Sequence, residues 1–164
     1  MTMAVAAPRK LDVGSGATHE EGYASIDITD AFSPDYVHDI TQIPWPFEDA
    51  SFDVLRCSHI LEHIDRSLLV AVMNEMHRIL VPGGMLKIES PVAPHWKAFA
   101  DPTHVSLLVP QTFLYFADNS GIFHKLYGME KWDLVKEQID EEGVFHCRMD
   151  ADGGIMQIDL LKPS

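Results

Sequence analysis

The sequence predicts an α/β protein organised on one open, mostly parallel sheet, and three stretches carry that prediction. The first is Lys10-Leu11-Asp12-Val13-Gly14-Ser15-Gly16-Ala17, an apolar strand running into a turn with two glycines one residue apart. The second is a strand–helix–strand unit, with strands near 51–57 and 85–90 and a periodic apolar helix between them. The third is a closing pair of strands, 132–139 and 155–161, joined by acidic, glycine-containing turns. No helix fits between these two, so they should pair antiparallel.

Each element has a local reason. Strand one covers 9–13; Gly14 and Gly16, lacking Cβ atoms, can take positive φ and let a ligand approach the backbone. The connection 14–22 is too short for a crossover helix and holds one or two helical turns at most. Strand two, 24–28, carries Asp27 at the end of an apolar run, where a carboxylate can accept two hydrogen bonds from a ribose diol. A loop with Pro34 leads to a short extended piece, 36–39, and Pro44-Trp45-Pro46-Phe47 forces a non-helical connector. The stretch 51–57 reads as the central buried strand, with 58–63 leaving its carboxyl end.

Asp65 can cap the following helix, in which Leu68, Leu69, Val72, Met73, Met76, Ile79 and Leu80 share one face; the methionines read as core. His77 and Arg78 suit its negative end, and Pro82-Gly83-Gly84 stops it. Prolines 91, 94, 102 and 110 keep 91–131 irregular, with one helix expected over 110–117. Without repeats or a dividing linker, the expected organisation is a flexible 1–8 followed by one domain, 9–162, with 91–130 as a substrate-side loop region.

The 164 residues suffice for a real core, and 46% hydrophobic and 23% charged content is ordinary for a soluble globular chain. A net charge of −13 argues against nucleic acid as the main partner, because phosphate binding relies on clustered cations. No apolar run approaches the roughly 18 residues of a membrane span, and the first eight residues lack the features of a signal peptide. Two cysteines are too few for a disulfide framework, and Cys57 reads as a buried free thiol. A reduced, cytoplasmic protein is expected.

A strand, a glycine turn and a strand-end acid point to a nucleoside-containing cofactor at the carboxyl edge of the sheet. A dinucleotide is disfavoured, since the third glycine position of that fingerprint holds His19 and the turn is short. That also weighs against a nucleotide-dependent oxidoreductase. Further pieces follow in order: Gly22-Tyr23-Ala24-Ser25-Ile26-Asp27, Asp39-Ile40, Pro46-Phe47-Glu48-Asp49-Ala50-Ser51-Phe52-Asp53-Val54-Leu55, Ser58-His59-Ile60-Leu61-Glu62-His63 and Arg78-Ile79-Leu80-Val81-Pro82-Gly83-Gly84-Met85-Leu86. Together with Asp12-Val13-Gly14-Ser15-Gly16, these resemble the class I S-adenosylmethionine-dependent methyltransferases, close to the type 11 group, over residues 9 to 90.

The resemblance implies a Rossmann-like seven-stranded sheet, mostly parallel with its last strand antiparallel, with helices on both faces, and S-adenosyl-L-methionine as cofactor. It implies that Asp12, Gly14, Ser15 and Gly16 line the methionine end. Asp27, with Ile28 beside it, would hold the ribose, Asp39 and Ile40 would meet adenine, and Ser58 and His59 would flank the amino-acid moiety and sulfonium. Two departures stand out: Thr18 replaces a third glycine common in the family, and the first crossover is short. No substrate domain is added.

His59-Ile60-Leu61-Glu62-His63 also fits the inverted zinc-protease signature, but its place at the end of a central strand argues for structural histidines and no metal. Asp101-Pro102-Thr103-His104 suits acceptor chemistry better: His104 as base, Asp101 orienting it, with His59 as a further catalytic candidate. Phe99, Phe113, Tyr115 and Phe116 read mostly as core, and His95 and Trp96 as a lid. The expected activity is methyl transfer to an O or N atom of a small molecule or glycan. The alternative is a cofactor-binding or degenerate methyltransferase-fold partner subunit, and a homo-oligomer is compatible with either.

Overall fold

The computed structural model describes residues 9–117, 120–135 and 147–164. The strands are β1 (Lys10–Val13), β2 (Ala24–Asp27), β3 (Tyr36–Val37), β4 (Phe52–Ser58), β5 (Leu80–Pro91), β6 (Asp133–Leu134), β7 (Arg148–Met149) and β8 (Ile155–Leu161). They form one sheet in the order β3-β2-β1-β4-β5-β8-β6, with β7 also paired to β8. The first five run parallel, and β8 runs antiparallel to β5, β6 and β7. Among the described residues the α-helices are α1 (Leu69–Ile79), α2 (Lys97–Ala100), α3 (Pro110–Leu114) and α4 (Ile122–Tyr127).

Strand alternation sorts the sheet into two unlike faces. Leu11, Val13, Leu55, Cys57, Leu86, Ile88, Ile158 and Leu160 point to one face and are buried. There α1 packs its stripe of Leu69, Val72, Met73, Met76 and Ile79, each contributing about 1.5–3 kcal/mol by burial. Cys57 is a free thiol within this core, its sulfur 3.3 Å from that of Met76, and burial pushes its pKa up. The other face carries Asp12, Arg56, Lys87, Glu89, Gln157 and Asp159, and Arg56, Lys87, Glu89, Gln157 and Asp159 line an open depression of about 220 Å³.

The asymmetry follows from the connections. Right-handed crossovers on opposite sides of the switch between β1 and β4 put their helices on opposite faces. The β1–β2 link folds as turns and the β2–β3 link holds only a 3-10 turn, Asp30–Phe32. Where helices on both faces were expected, the described residues therefore give a helical layer to the α1 face.

Several boundaries differ from expectation for identifiable reasons. Asp65 does not cap α1: its Oδ1 accepts from the Ser67 amide and hydroxyl at 2.8 and 2.6 Å, closing a separate turn before the helix starts at Leu69. The helix expected over 110–117 ends at Leu114. Trp132 precedes β6, buried and donating its N–H to the Phe116 carbonyl. The expected strand residues 136–139 lie outside the described residues. The sequence reading missed α2, α4 and β7.

Candidate functional site

The carboxyl ends of β1 and β4 meet at the point where strand order reverses, the crevice in which open α/β sheets place ligands. Gly14 and Gly16 take φ of +69° and +54°, so the turn needs residues without Cβ there. The turn is fastened to β2: the Ile26 carbonyl accepts from the amides of Gly14 (2.9 Å) and Ser15 (3.3 Å), and Asp27 Oδ2 accepts from Gly16 N–H at 2.9 Å. Asp27 Oδ1 accepts from Thr29 N–H at 3.2 Å. Asp27 is thus a latch across two loops, with lone pairs remaining on both oxygens for a ligand.

What faces Gly14 was not legible before the fold was known. A Cβ built there would lie 2.5 Å from Ile60 Cγ1, so the Ile60 side chain fills that space, whereas nothing lies within 4 Å of a Cβ at Gly16. Two cavities flank the turn and share Gly14. One, about 210 Å³, is lined by Asp27, Ile28, Asp39 and Ile40, together with His38, Ile60 and His63, which sequence reasoning had not placed there. The other, about 320 Å³, is lined by Ser15, Gly16, Thr18, Arg56, Ser58 and His59. Every candidate cofactor position except Asp12 lines one of the two.

Asp12 is buried beneath Arg56, whose Nη1 donates to its Oδ1 at 3.0 Å. Burial raises the Asp12 pKa and the Arg56 contact opposes the rise. Asp12 therefore reaches the larger cavity through Arg56 rather than directly. Asp39 Oδ1 accepts from the hydroxyl and amide of Thr41, which lower its pKa, so it is a turn acid and a cavity wall at once. Ser15 Oγ is buried on the wall of the larger cavity and has no hydrogen-bond partner among the described residues.

A family profile described as a methyltransferase domain matches residues 11–88, the stretch that builds both cavities. That match agrees with the resemblance to the class I S-adenosylmethionine-dependent methyltransferases seen in the sequence. It supports an enzyme that uses S-adenosylmethionine as cofactor. A methyltransferase structure from Archaeoglobus fulgidus matches with a TM-score of 0.64 at 19% identity, covering 94% of this chain and 86% of the other. One from Mesorhizobium loti gives 0.58 at 14%, covering 94% and 90%. A complex of a methyltransferase activator from Haloferax volcanii gives 0.57 at 13%, covering 96% and 83%. No curated protein sequence matches significantly.

Set against this methyltransferase frame, the histidines fall out differently from the sequence reading. His59 has φ +54° and stands half-exposed, with Nδ1 3.3 Å from Glu62 Oε1 and Nε2 3.3 Å from Glu89 Oε1. Both ring nitrogens face carboxylates, and Glu62 above all raises the His59 pKa against the effect of burial, which favours the charged ring. His59 and His63 do not pair as the zinc-protease signature would require. His63 instead packs edge-on to His104, ring centroids 4.8 Å apart.

Asp101 does not orient His104. Its Oδ1 accepts from the Thr103 amide (2.8 Å) and hydroxyl (2.6 Å), contacts that lower its pKa, and Thr103 Oγ1 lies 3.1 Å from His63 Nδ1. The His104 ring is oriented by the Ala98 carbonyl, 3.1 Å from Nδ1. A short-range Asx turn won Asp101 over the longer-range pairing expected of it. Among the aromatics, Phe113 and Phe116 are core, while Trp96, Phe99 and Tyr115 are exposed. No helix among the described residues is long and apolar enough to cross a membrane.

Proposed function

We propose that this methyltransferase transfers the methyl group to an O or N atom of a small molecule or glycan, with the cofactor lying across Gly14 between the two cavities. The observation that supports this is the latched turn itself: Gly16 with open space and the Ser15 hydroxyl, unpartnered among the described residues, line one cavity, the Asp27 carboxylate lines the other, and Gly14 lies on the wall of both. Asp27 and Ile28 would hold the ribose, Asp39 and Ile40 the adenine, and Gly14, Ser15, Gly16 and Ser58 the methionine portion. Asp12 would act from behind Arg56, and the His59 ring, its charged form favoured by Glu62 and Glu89, would face the cofactor's carboxylate. When bound, the cofactor supplies an electrophilic methyl group on sulfur.

The chain's own task is to align the acceptor and exclude water. The acceptor would enter from the 91–130 side. His104, whose Nδ1 is engaged by a carbonyl, keeps Nε2 for the acceptor's proton. Single-domain organisation over 9–162 and a cytoplasmic location belong to the same reading.

The short β1–β2 link, which folds as turns, favours a second reading, in which a partner subunit or second copy completes the crevice and supports turnover. Calorimetry with S-adenosylhomocysteine tests the crevice. A radiolabelled-methyl assay over hydroxyl and amine acceptors tests the activity, alone and in cell extract. Cofactor binding with turnover only in extract would favour the partner-dependent reading, and no binding by the folded protein would refute the first.

A further inference from the structure

We propose that Glu62, His63 and His104 form a binding site for one divalent transition-metal ion of the zinc class beside the cofactor crevice. One carboxylate oxygen of Glu62 and one ring nitrogen of each histidine lie within 4.8 Å of one another. Ligands held about 2.1 Å from a tetrahedral ion lie roughly 3.4 Å apart, so closure needs shifts of about an ångström. His63 is exposed and free to make them.

The hydrogen bonds around the two rings fix which nitrogen carries the proton. The Asp101 carboxylate takes the single hydroxyl proton of Thr103 at 2.6 Å. Thr103 Oγ1 can then only accept at its 3.1 Å contact, so His63 Nδ1 is the donor and the neutral ring has its lone pair on Nε2. A carbonyl cannot donate either, so the Ala98 oxygen fixes the His104 proton on Nδ1 and leaves that Nε2 free. Two imidazoles, each held through Nδ1–H by a backbone carbonyl or a hydroxyl–carboxylate pair, have the outer shell typical of metal-binding histidines.

Glu62 completes the set. It is buried; its Oε2 accepts from Ser90 Oγ at 3.1 Å, and its Oε1 has no well-aligned hydrogen bond, only the His59 ring nitrogen at 3.3 Å. The two ligand-bearing segments are pinned backbone to backbone, since the Glu62 carbonyl accepts from both Val105 and Ser106 amides at 3.0 Å. An N₂O set with open positions suits Zn²⁺, Co²⁺ or Fe²⁺. His63 also lines the 210 Å³ cavity, so the ion would stand at the wall of that cavity, with the His104 lone pair then used as a ligand. This goes beyond the methyl-transfer reading and does not rest on it.

The test is Co²⁺ titration of chelator-stripped full-length protein, read by visible absorption, with Zn²⁺ competition by calorimetry. The expected result is one ion per chain with bands of nitrogen-coordinated cobalt. His63→Ala and, separately, His104→Ala should weaken binding at least a hundredfold, Thr103→Val about 10–100-fold by freeing the His63 tautomer, and His19→Ala not at all. Thermal melts confirm that each variant is folded; where an alanine variant is not, the Gln variant at that position replaces it. Wild-type binding no tighter than that of the His63/His104 double variant would overturn the proposal, as would stoichiometric binding that survives both single changes. S-adenosylhomocysteine affinity is measured on the same samples. Cofactor binding without cobalt binding refutes the metal site alone, and the converse refutes the crevice reading alone.

Discussion

On the β1–β2 side of the crevice, backbone amides are tied to the Asp27 carboxylate and the Ile26 carbonyl, within elements that the sheet already holds in register. On the 91–104 side, order comes from side chains: the Asp101–Thr103–His63 chain, the His63–His104 ring contact and one carbonyl on His104. The first kind of site is over-determined by the fold. The second depends on a few exposed groups that can move, as suits a surface that must admit and release an acceptor. Damage on the first side should therefore spread to folding, and damage on the second should stay in turnover or ligand binding.

Gly14→Val should show the strongest spread. The φ of +69° costs a β-branched residue about 1–2 kcal/mol, and overpacking against Ile60 about 1–3 more, for roughly 2–5 kcal/mol with loss of cofactor binding. Adding Ile60→Ala should recover the packing part and not the backbone part. The Ile60 contact makes stability a second readout beside cofactor binding. Wild-type melting of Gly14→Val would show that this turn is not over-determined.

His104→Ala probes the other side. It should reduce turnover by about 10²–10⁴-fold while cofactor affinity, by calorimetry, stays within about twofold. Equal loss of both would move His104 into the cofactor pocket and erase the contrast.

Asp27→Ala should weaken cofactor binding by roughly tenfold to a hundredfold, the worth of hydrogen bonds to a charged group. It should also destabilise the chain, because the Gly16 and Thr29 amides lose their acceptor. Unchanged affinity in a folded variant would remove Asp27 from the site.

A support behind the glycine-turn side gives an acid test. Trp45 donates its indole N–H to the Ile40 carbonyl, behind the cavity wall, and its backbone N–H to Glu75, which Arg78 grips with two nitrogens. Burial pushes the Glu75 pKa up, but the bonds from Arg78 and Trp45 outweigh it and the net shift is downward. A carboxylate with a depressed folded pKa stabilises above its unfolded value of about 4.3 and loses that contribution as pH falls through the folded value. Glu75→Gln should therefore cost about 1–3 kcal/mol at neutral pH, with the gap from wild type closing in acid. A constant gap across pH would contradict the assignment.

The same contrast explains what could be read in advance. The glycine turn, Asp27 at a strand end and the apolar stripe of α1 were legible because backbone sterics and helical period act locally. Ile60 against Gly14 was not, since it joins loops after different strands. The polar sheet face was written in the alternation of Arg56 with Cys57, Lys87 with Ile88 and Asp159 with Ile158, but the expectation of helices on both faces hid it. The short helices α2 and α4 carry too few residues for a periodic signal, and β7, at two residues, leaves none.

The smallest expected effect separates positioning from structure on the histidine side. Asp101→Asn keeps an oxygen for the Thr103 hydroxyl but removes the charge, and a neutral hydrogen bond is about half as strong as a charge-assisted one. Turnover should fall only about two- to tenfold, from a loss of roughly 0.5–1.5 kcal/mol, with melting unchanged because the residue is exposed. The discriminating readout is the His63 ring by nitrogen NMR. In the wild type the neutral ring should carry its proton on Nδ1, and in the variant a mixture of tautomers should appear, because an amide can turn its NH₂ toward Thr103 and let that hydroxyl donate to His63 instead. A single Nδ1–H tautomer in both proteins, with turnover nonetheless reduced, would show that Asp101 acts through something other than the Thr103–His63 chain.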